Sequence, residues 1–247
     1  MTIPAPQLPT PVYNDAKHHI RLYQGDCLEI LAAIPESTVD LIFADPPYFL
    51  SNGGITCQAG RMVSANKGTW DKSKGPEINH EFSRSWLAAC QRVLKPNGSI
   101  WVSGTAHVIH SVGFAMQQLG FKILNDISWV KPNPPPNLAC RYFTHATETI
   151  IWAARDKKSR HTFNYKLMKQ TNGGKQMKSV WEIKPPEKMG KEIRQTSHTK
   201  TRRAPRTHTP RLHQSRRPRP RSVLRQRHHR ACSAAHTALS RWIRTFL

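Results

Sequence analysis

Residues 39–52 read VDLIFADPPYFLSN, an apolar run that delivers a carboxylate, two prolines and an aromatic ring together at its end. That grouping suits one demanding reaction, the placing of a methyl group on the exocyclic amino nitrogen of a nucleobase. The nitrogen lone pair is delocalised into the ring, so the amine is a poor nucleophile until it moves towards tetrahedral geometry. The carboxylate of Asp45 and the carbonyl of Pro46 are suitable acceptors for both N–H bonds. They would favour that shift and stabilise the positive charge that develops as the methyl arrives. Pro46 and Pro47 restrict the turn, and Tyr48 offers a flat ring against which a base drawn out of its duplex can stack. The plainer reading is a D-P-P-Y turn that merely ends a strand, and companion segments must decide between the two.

The elements that would position this turn alternate along the chain. HIRLYQGD reads as a short strand, CLEILAAIP as a helix with Leu28, Leu31 and Ala32 at helical spacing, and VDLIFAD as a strand covered on both faces. GGITCQAGRMVSANKGTWDKSKGPE has the composition of a long functional loop. HEFSRSWLAACQRVL is an amphipathic helix stopped by KPNG before the strand SIWVSG, and VIHSVGFAMQQLG is a helix closed by Gly120 before the strand FKILNDISWVK. Prolines 132, 134, 135 and 136 make the next segment a loop, ATETIIWAARD is a strand, and a basic segment with interleaved aromatics follows. Strands alternating with helices imply an α/β fold, a mainly parallel, doubly wound sheet that binds ligands at the C-terminal strand edge, where Asp45 to Tyr48 fall.

At these residues the sequence resembles the amino-methylating DNA methyltransferases, whose catalytic tetrapeptide is D/N/S-P-P-Y/F/W. The form present here is typical of the adenine-N6 enzymes. LYQGDCLEIL looks like the family segment whose acid, here Asp26, lies beside the cofactor. VLKPNGSIWV, GFKILNDISWVKPNPPPN and THATETIIWAARDKK look like the strands that follow in the permuted β-class order. The likeness covers roughly residues 18–188 and is similar to the adenine methylases of GATC or GANTC restriction systems. It implies a Rossmann-like methyltransferase sheet, S-adenosylmethionine as methyl donor, a flipped adenine in a short DNA site as substrate, no metal, and a cognate restriction endonuclease in the same system. Asp26 keeps a second reading as a helix N-cap, which G-D followed by an apolar helix fits well. Lys131, Asn133 and Arg141 are candidate DNA contacts or members of a solvated loop. Trp101, Trp129 and Trp152 read as core.

Composition divides the chain near Lys188. Residues 189–247 hold 16 of the 38 Lys and Arg against the single acid Glu192, and the net charge of the whole is +23. Such a balance favours a polyanionic partner. Five scattered cysteines without a C-x-x-C pair argue against a disulfide framework or a zinc site and suit a reducing cytoplasm. The chain has no apolar stretch of spanning length. The domain reading is therefore an extension at 1–17, a partial catalytic domain with DNA-contacting loops at 18–188, and a basic tail at 189–247 that its composition marks as disordered.

The family's cofactor loop, of the form DPFxGSGTT, and its H-P-T-Q-K-P segment do not occur in the chain. Both are expected after Ile183. With allowed synonymous codons and a one-base shift, MGKEIRQTSHTKT (189–201) spells WEKKFGKHPTQKP, and RSVLRQRHHR (221–230) spells DPFCGSGTTG in the same frame. The tail then reads as out-of-frame translation and the chain as a truncated enzyme of little activity, with a fold incomplete at its C-terminus. The alternatives are a non-catalytic basic DNA-binding protein, whose binding would be indifferent to Asp45→Ala, and a cytosine-N4 methyltransferase. Sequencing the nucleotides from codon 180 past the stop is expected to show both motifs in the shifted frame; their absence would make the basic tail a genuine product.

Overall fold

The computed structural model describes residues 7–58, 61–64 and 66–183. The basic tail, and with it the frame expectation, lies outside the described residues. Two short strands, β1 (Tyr13–Asp15) and β2 (Ile20–Leu22), pair antiparallel in a sheet of their own. The expected first strand of the alternation is therefore half of a separate hairpin, because its partner is the preceding segment, and the boundary placed at residue 17 falls within that hairpin.

The main sheet has five strands: β3 (Val39–Ala44), β6 (Leu94–Gly104), β7 (Lys122–Val130), β8 (Thr147–Ala154) and β9 (Val180–Glu182). Their order is β3-β6-β8-β7-β9. β3 runs parallel to β6, and β7 parallel to β9, whereas β8 is antiparallel to both of its neighbours. The α/β expectation holds, with one correction to the mainly parallel sheet. β7 returns directly into β8 through the proline-rich segment 131–146, without a crossover helix, and a direct return between paired strands must be antiparallel.

Helices α1 (Cys27–Ala33), α2 (Pro76–Val93) and α3 (Ile109–Gln118) share one core. α2 begins at Pro76, where the missing N–H is no loss, four residues earlier than its apolar pattern starts. It buries Ser83, Trp86, Leu87, Cys90 and Val93, a stripe at helical spacing, and α3 buries Ile109, Val112, Ala115 and Met116. These stripes meet Ile100, Val102, Ile151 and Ala153 of the sheet, with Ile42 and Ala44 of β3 packed alongside. Burial pushes the Cys90 thiol up to about 12, so it acts as a small core side chain. α3 ends as expected at Gly120, whose φ of 79° lets the Phe121 N–H reach back to the Met116 carbonyl at 3.0 Å.

The other face of the sheet is aromatic. Trp101 and Trp152 are direct cross-strand partners and stack with centroids 4.9 Å apart; Trp181 extends the stack, and His161 and Phe163 pack against Trp152. Trp101, Trp129 and Trp152 are all buried, in accord with their reading as core. β3 is less enclosed than its apolar run suggests. Among the described residues it pairs only with β6, and Leu41, Ile42, Phe43 and Ala44 are half-buried rather than covered on both faces. The long loop after it contains regular structure: a hairpin of β4 (Ile55–Gln58) and β5 (Arg61–Ser64), then a 3₁₀ turn at Thr69–Asp71.

Candidate active site

Because β3, β6 and β7 point the same way, their C-terminal ends and the start of β8 share one edge of the sheet. Asp45 leaves β3 at that edge. Ala44 pairs with Val102, so Asp45 comes beside Ser103 of β6, and the Ser103 hydroxyl donates to Asp45 Oδ1 at 3.0 Å. The Tyr48 hydroxyl donates to the same oxygen at 2.8 Å. The carboxylate is thus oriented by two donors from different elements, while the residue itself is exposed. Pro46 and Pro47 between them are half-buried.

Tyr48 is not an open platform. Its ring is only 5% exposed, and the ammonium of Lys67 lies 4.9 Å from the ring centroid. Burial, reinforced by the negative charges of Glu148 and Asp45, pushes the phenol far above its ordinary range and keeps it a donor. The structure brings Asp45 and Tyr48 together as expected, but through a hydrogen bond between them that residue types alone did not suggest.

What holds the turn is Asp71, a residue passed over in the sequence. It is fully buried at the end of the 3₁₀ turn. Its Oδ1 accepts the backbone N–H groups of Tyr48 and Phe49, both at 2.9 Å, and its Oδ2 accepts the Ser51 hydroxyl at 2.7 Å. Ser51 also donates its N–H to the Asp71 carbonyl, and its side-chain oxygen receives the Lys67 N–H. Phe49 sits at φ +55°, a left-handed conformation unusual for an aromatic residue, and its N–H is one of those Asp71 holds. A lone acid within the cationic stretch KGTWDKSK was the only available signal, and by composition it is indistinguishable from a solvated loop residue.

Asp26 is at the N-terminus of α1, and its Oδ1 accepts the Leu28 N–H at 2.8 Å and the Glu29 N–H at 3.4 Å. The capping reading is realised. Lys131 is engaged: its ammonium pairs with Oε1 of Glu148 and lies 5.3 Å from the Trp129 ring centroid. The pair stands at the neck of the proline-rich loop, where the Lys131 N–H also bonds the Ala146 carbonyl at 2.7 Å. Glu148, 8% exposed, was not singled out in the sequence, and its Oε2 is buried without a hydrogen-bond partner. Asn133 and Arg141 are exposed on the loop and are not gathered around Asp45 by any hydrogen bond or ion pair. Among the described residues, no three His, Cys, Asp or Glu side chains converge to hold a metal ion.

Comparison with known proteins places this geometry in context. The N6_N4_Mtase family model, DNA methylase, matches residues 39–232. The chain is 56% identical over 172 residues to the type II methyltransferase M2.DpnII of Streptococcus pneumoniae, covering 69% of this chain and 63% of that protein. It is 57% identical over 166 residues to M2.LlaDCHI of Lactococcus lactis subsp. cremoris, covering 67% and 62%, and 46% identical over 173 residues to M2.MboI of Moraxella bovis, covering 70% and 63%. The match thus spans less than two thirds of each relative's length. Among solved structures, the PvuII DNA methyltransferase (cytosine-N4-specific) aligns at TM-score 0.49 and 20% identity, covering 68% of this chain and 58% of that one. The M1.HpyAVI–SAM complex aligns at TM-score 0.38 and 25% identity, covering 57% of each.

Two outcomes follow from the geometry. Asp71→Ala strands two backbone N–H groups and a hydroxyl, so chemical unfolding is expected to show a loss of about 2–4 kcal/mol; a loss under about 0.5 kcal/mol would refute the clamp. For Tyr48, the folded-state pKa lies above that of the unfolded chain, so the unfolded state loses its proton first as pH rises. Stability from this source is complete below about pH 10 and declines above it. Urea titrations at pH 8, 9.5 and 10.5 should show a decline that is smaller in Tyr48→Phe.

Proposed function

Since the chain belongs to the DNA methylase family, we propose that it carries the catalytic edge of an S-adenosylmethionine-dependent DNA methyltransferase acting on adenine N6. The observation that supports this most directly is the carboxylate of Asp45, exposed at the sheet edge yet oriented by both Tyr48 and Ser103. A flipped adenine presents its amino group to Asp45 and to the Pro46 carbonyl, which accept its two N–H bonds and draw the nitrogen towards tetrahedral geometry. With Asp71 gripping the next two amides, that carbonyl is aimed before substrate arrives, and little reorganisation is needed as charge develops. Lys67 must leave the Tyr48 ring for the base to stack there, exchanging one contact with the ring's π-face for another. The surplus proton on the methylated nitrogen leaves by way of Asp45, which is open to solvent.

S-adenosylmethionine, when bound, would supply an electrophilic methyl group. Of the described residues, Asp26 suits a hydroxyl of the donor in part: a carboxylate has about four acceptor sites, and the two capping bonds use only some of them. Asn133 and Arg141 stand on a loop at the same edge and suit contacts with DNA. A restriction endonuclease of the same system is the expected cellular partner, and the cytoplasm the expected location. No described helix is long and apolar enough to cross a membrane.

The test is transfer of tritiated methyl to unmethylated bacterial DNA, followed by nucleoside analysis. The protein with its reading frame restored after Lys188 is expected to label N6-methyladenine, and Asp45→Ala to reduce the rate by about 10²–10³. The 247-residue chain, which lacks the DPFxGSGTT string, is expected to turn over poorly. Label in N4-methylcytosine, or an Asp45→Ala protein of undiminished rate, would overturn the proposal.

A further inference from the structure

The most conspicuous apolar group outside the site is Phe143, which is 96% exposed on the C-terminal arm of the proline-rich loop, shortly before the neck residue Ala146. Its neighbour Tyr142 is 62% exposed, and Arg141 and His145 flank the pair. A phenyl ring held in water forfeits nearly all the benefit of burial, and here the loop is built to hold it there. Its neck is closed by the Lys131 N–H bond to the Ala146 carbonyl and by the Lys131–Glu148 pair. Within the loop, the Asn137 side chain bridges two backbone groups, donating to the Tyr142 carbonyl at 2.6 Å and accepting the Ala139 N–H at 3.0 Å. The Tyr142 ring packs on His145, and His145 in turn on His107. With Tyr142 tied on both its backbone and its ring, the next residue is directed outward.

We propose that Phe143 stacks on a nucleobase of the bound DNA. The loop joins β7 to β8 and so springs from the edge that carries Asp45, which puts the ring and the acceptor carboxylate on one DNA-facing side. Arg141 beside the ring meets a phosphate, while the ring itself meets the apolar face of a base. Stacking of this kind accepts any base, since every base has a π-face. Phe143 thereby fills space that base flipping leaves open, as apolar wedges do when they enter a base step. This assignment rests on the DNA methyltransferase reading of the same edge.

The test uses the full chain and GATC-containing duplexes in which single thymines are replaced by 5-iodouracil, whose photochemical coupling is favoured by an aromatic partner in stacking contact. Adducts are mapped by mass spectrometry. Coupling at Phe143 is expected, with a yield reduced at least tenfold in Phe143→Ala and retained in Phe143→Trp. Circular dichroism should be unchanged in both variants, since the side chain touches little. Coupling to other exposed aromatics, such as Tyr142, or Trp70 of the 3₁₀ turn, with none at Phe143, would overturn the stacking role and leave the methyltransferase reading intact. Coupling confined to residues beyond 188 would likewise overturn the stacking role, whereas the methyltransferase reading stands or falls on the methyl-transfer assay.

Discussion

Everything at the candidate site depends on one buried carboxylate holding a piece of chain that has no secondary structure of its own. A turn containing two prolines offers few donors for hydrogen bonding, and the strand that feeds it ends at Ala44. The amides just past the prolines would be orphaned in the interior but for Asp71, which accepts two of them and the Ser51 hydroxyl while itself shielded from water. A fully buried acid is costly unless its oxygens are well supplied with donors, and here the donors are the turn itself. The same bonds that make Asp71 tolerable in the core make the Pro46–Phe49 backbone rigid.

A second consequence follows from the sheet. By pointing β3, β6 and β7 the same way and returning β8 between β6 and β7, the fold collects Asp45, Ser103, the Lys131–Glu148 pair and the proline-rich loop along one edge. Polar groups lie at the strand ends, while the two faces remain apolar: aliphatic side chains under α2 and α3, stacked tryptophans on the other side. The edge can therefore be charged without disturbing the core, and the Glu148 charge reaches Tyr48 strongly enough to help keep its phenol protonated.

Much of this was legible beforehand, for identifiable reasons. Helices α2 and α3 and strands β7 and β8 were recoverable because each carries a long periodic pattern with a stop signal, Gly120 being the plainest. The hairpin of β4 and β5 was not, because its short strands carry no alternation distinct from a polar loop. The pairing of β2 with β1, and the reversed direction of β8, are matters of which strand finds which neighbour, and local periodicity does not encode that.

The same division applies to the site. Sequence by itself determined that Asp45, Pro46, Pro47 and Tyr48 form one chemical unit, since four adjacent residues travel together whatever the fold, and that Asp26 begins a helix, since capping is local. Only the tertiary structure decided that Tyr48 and Ser103 share one oxygen of Asp45, that Lys67 covers the tyrosine ring, that Lys131 is engaged by Glu148, and that Asp71 clamps the turn from more than twenty residues away. Each of those contacts joins residues whose own types and neighbours are unremarkable. Their roles arise from being brought within bonding distance, which is a property of chain topology.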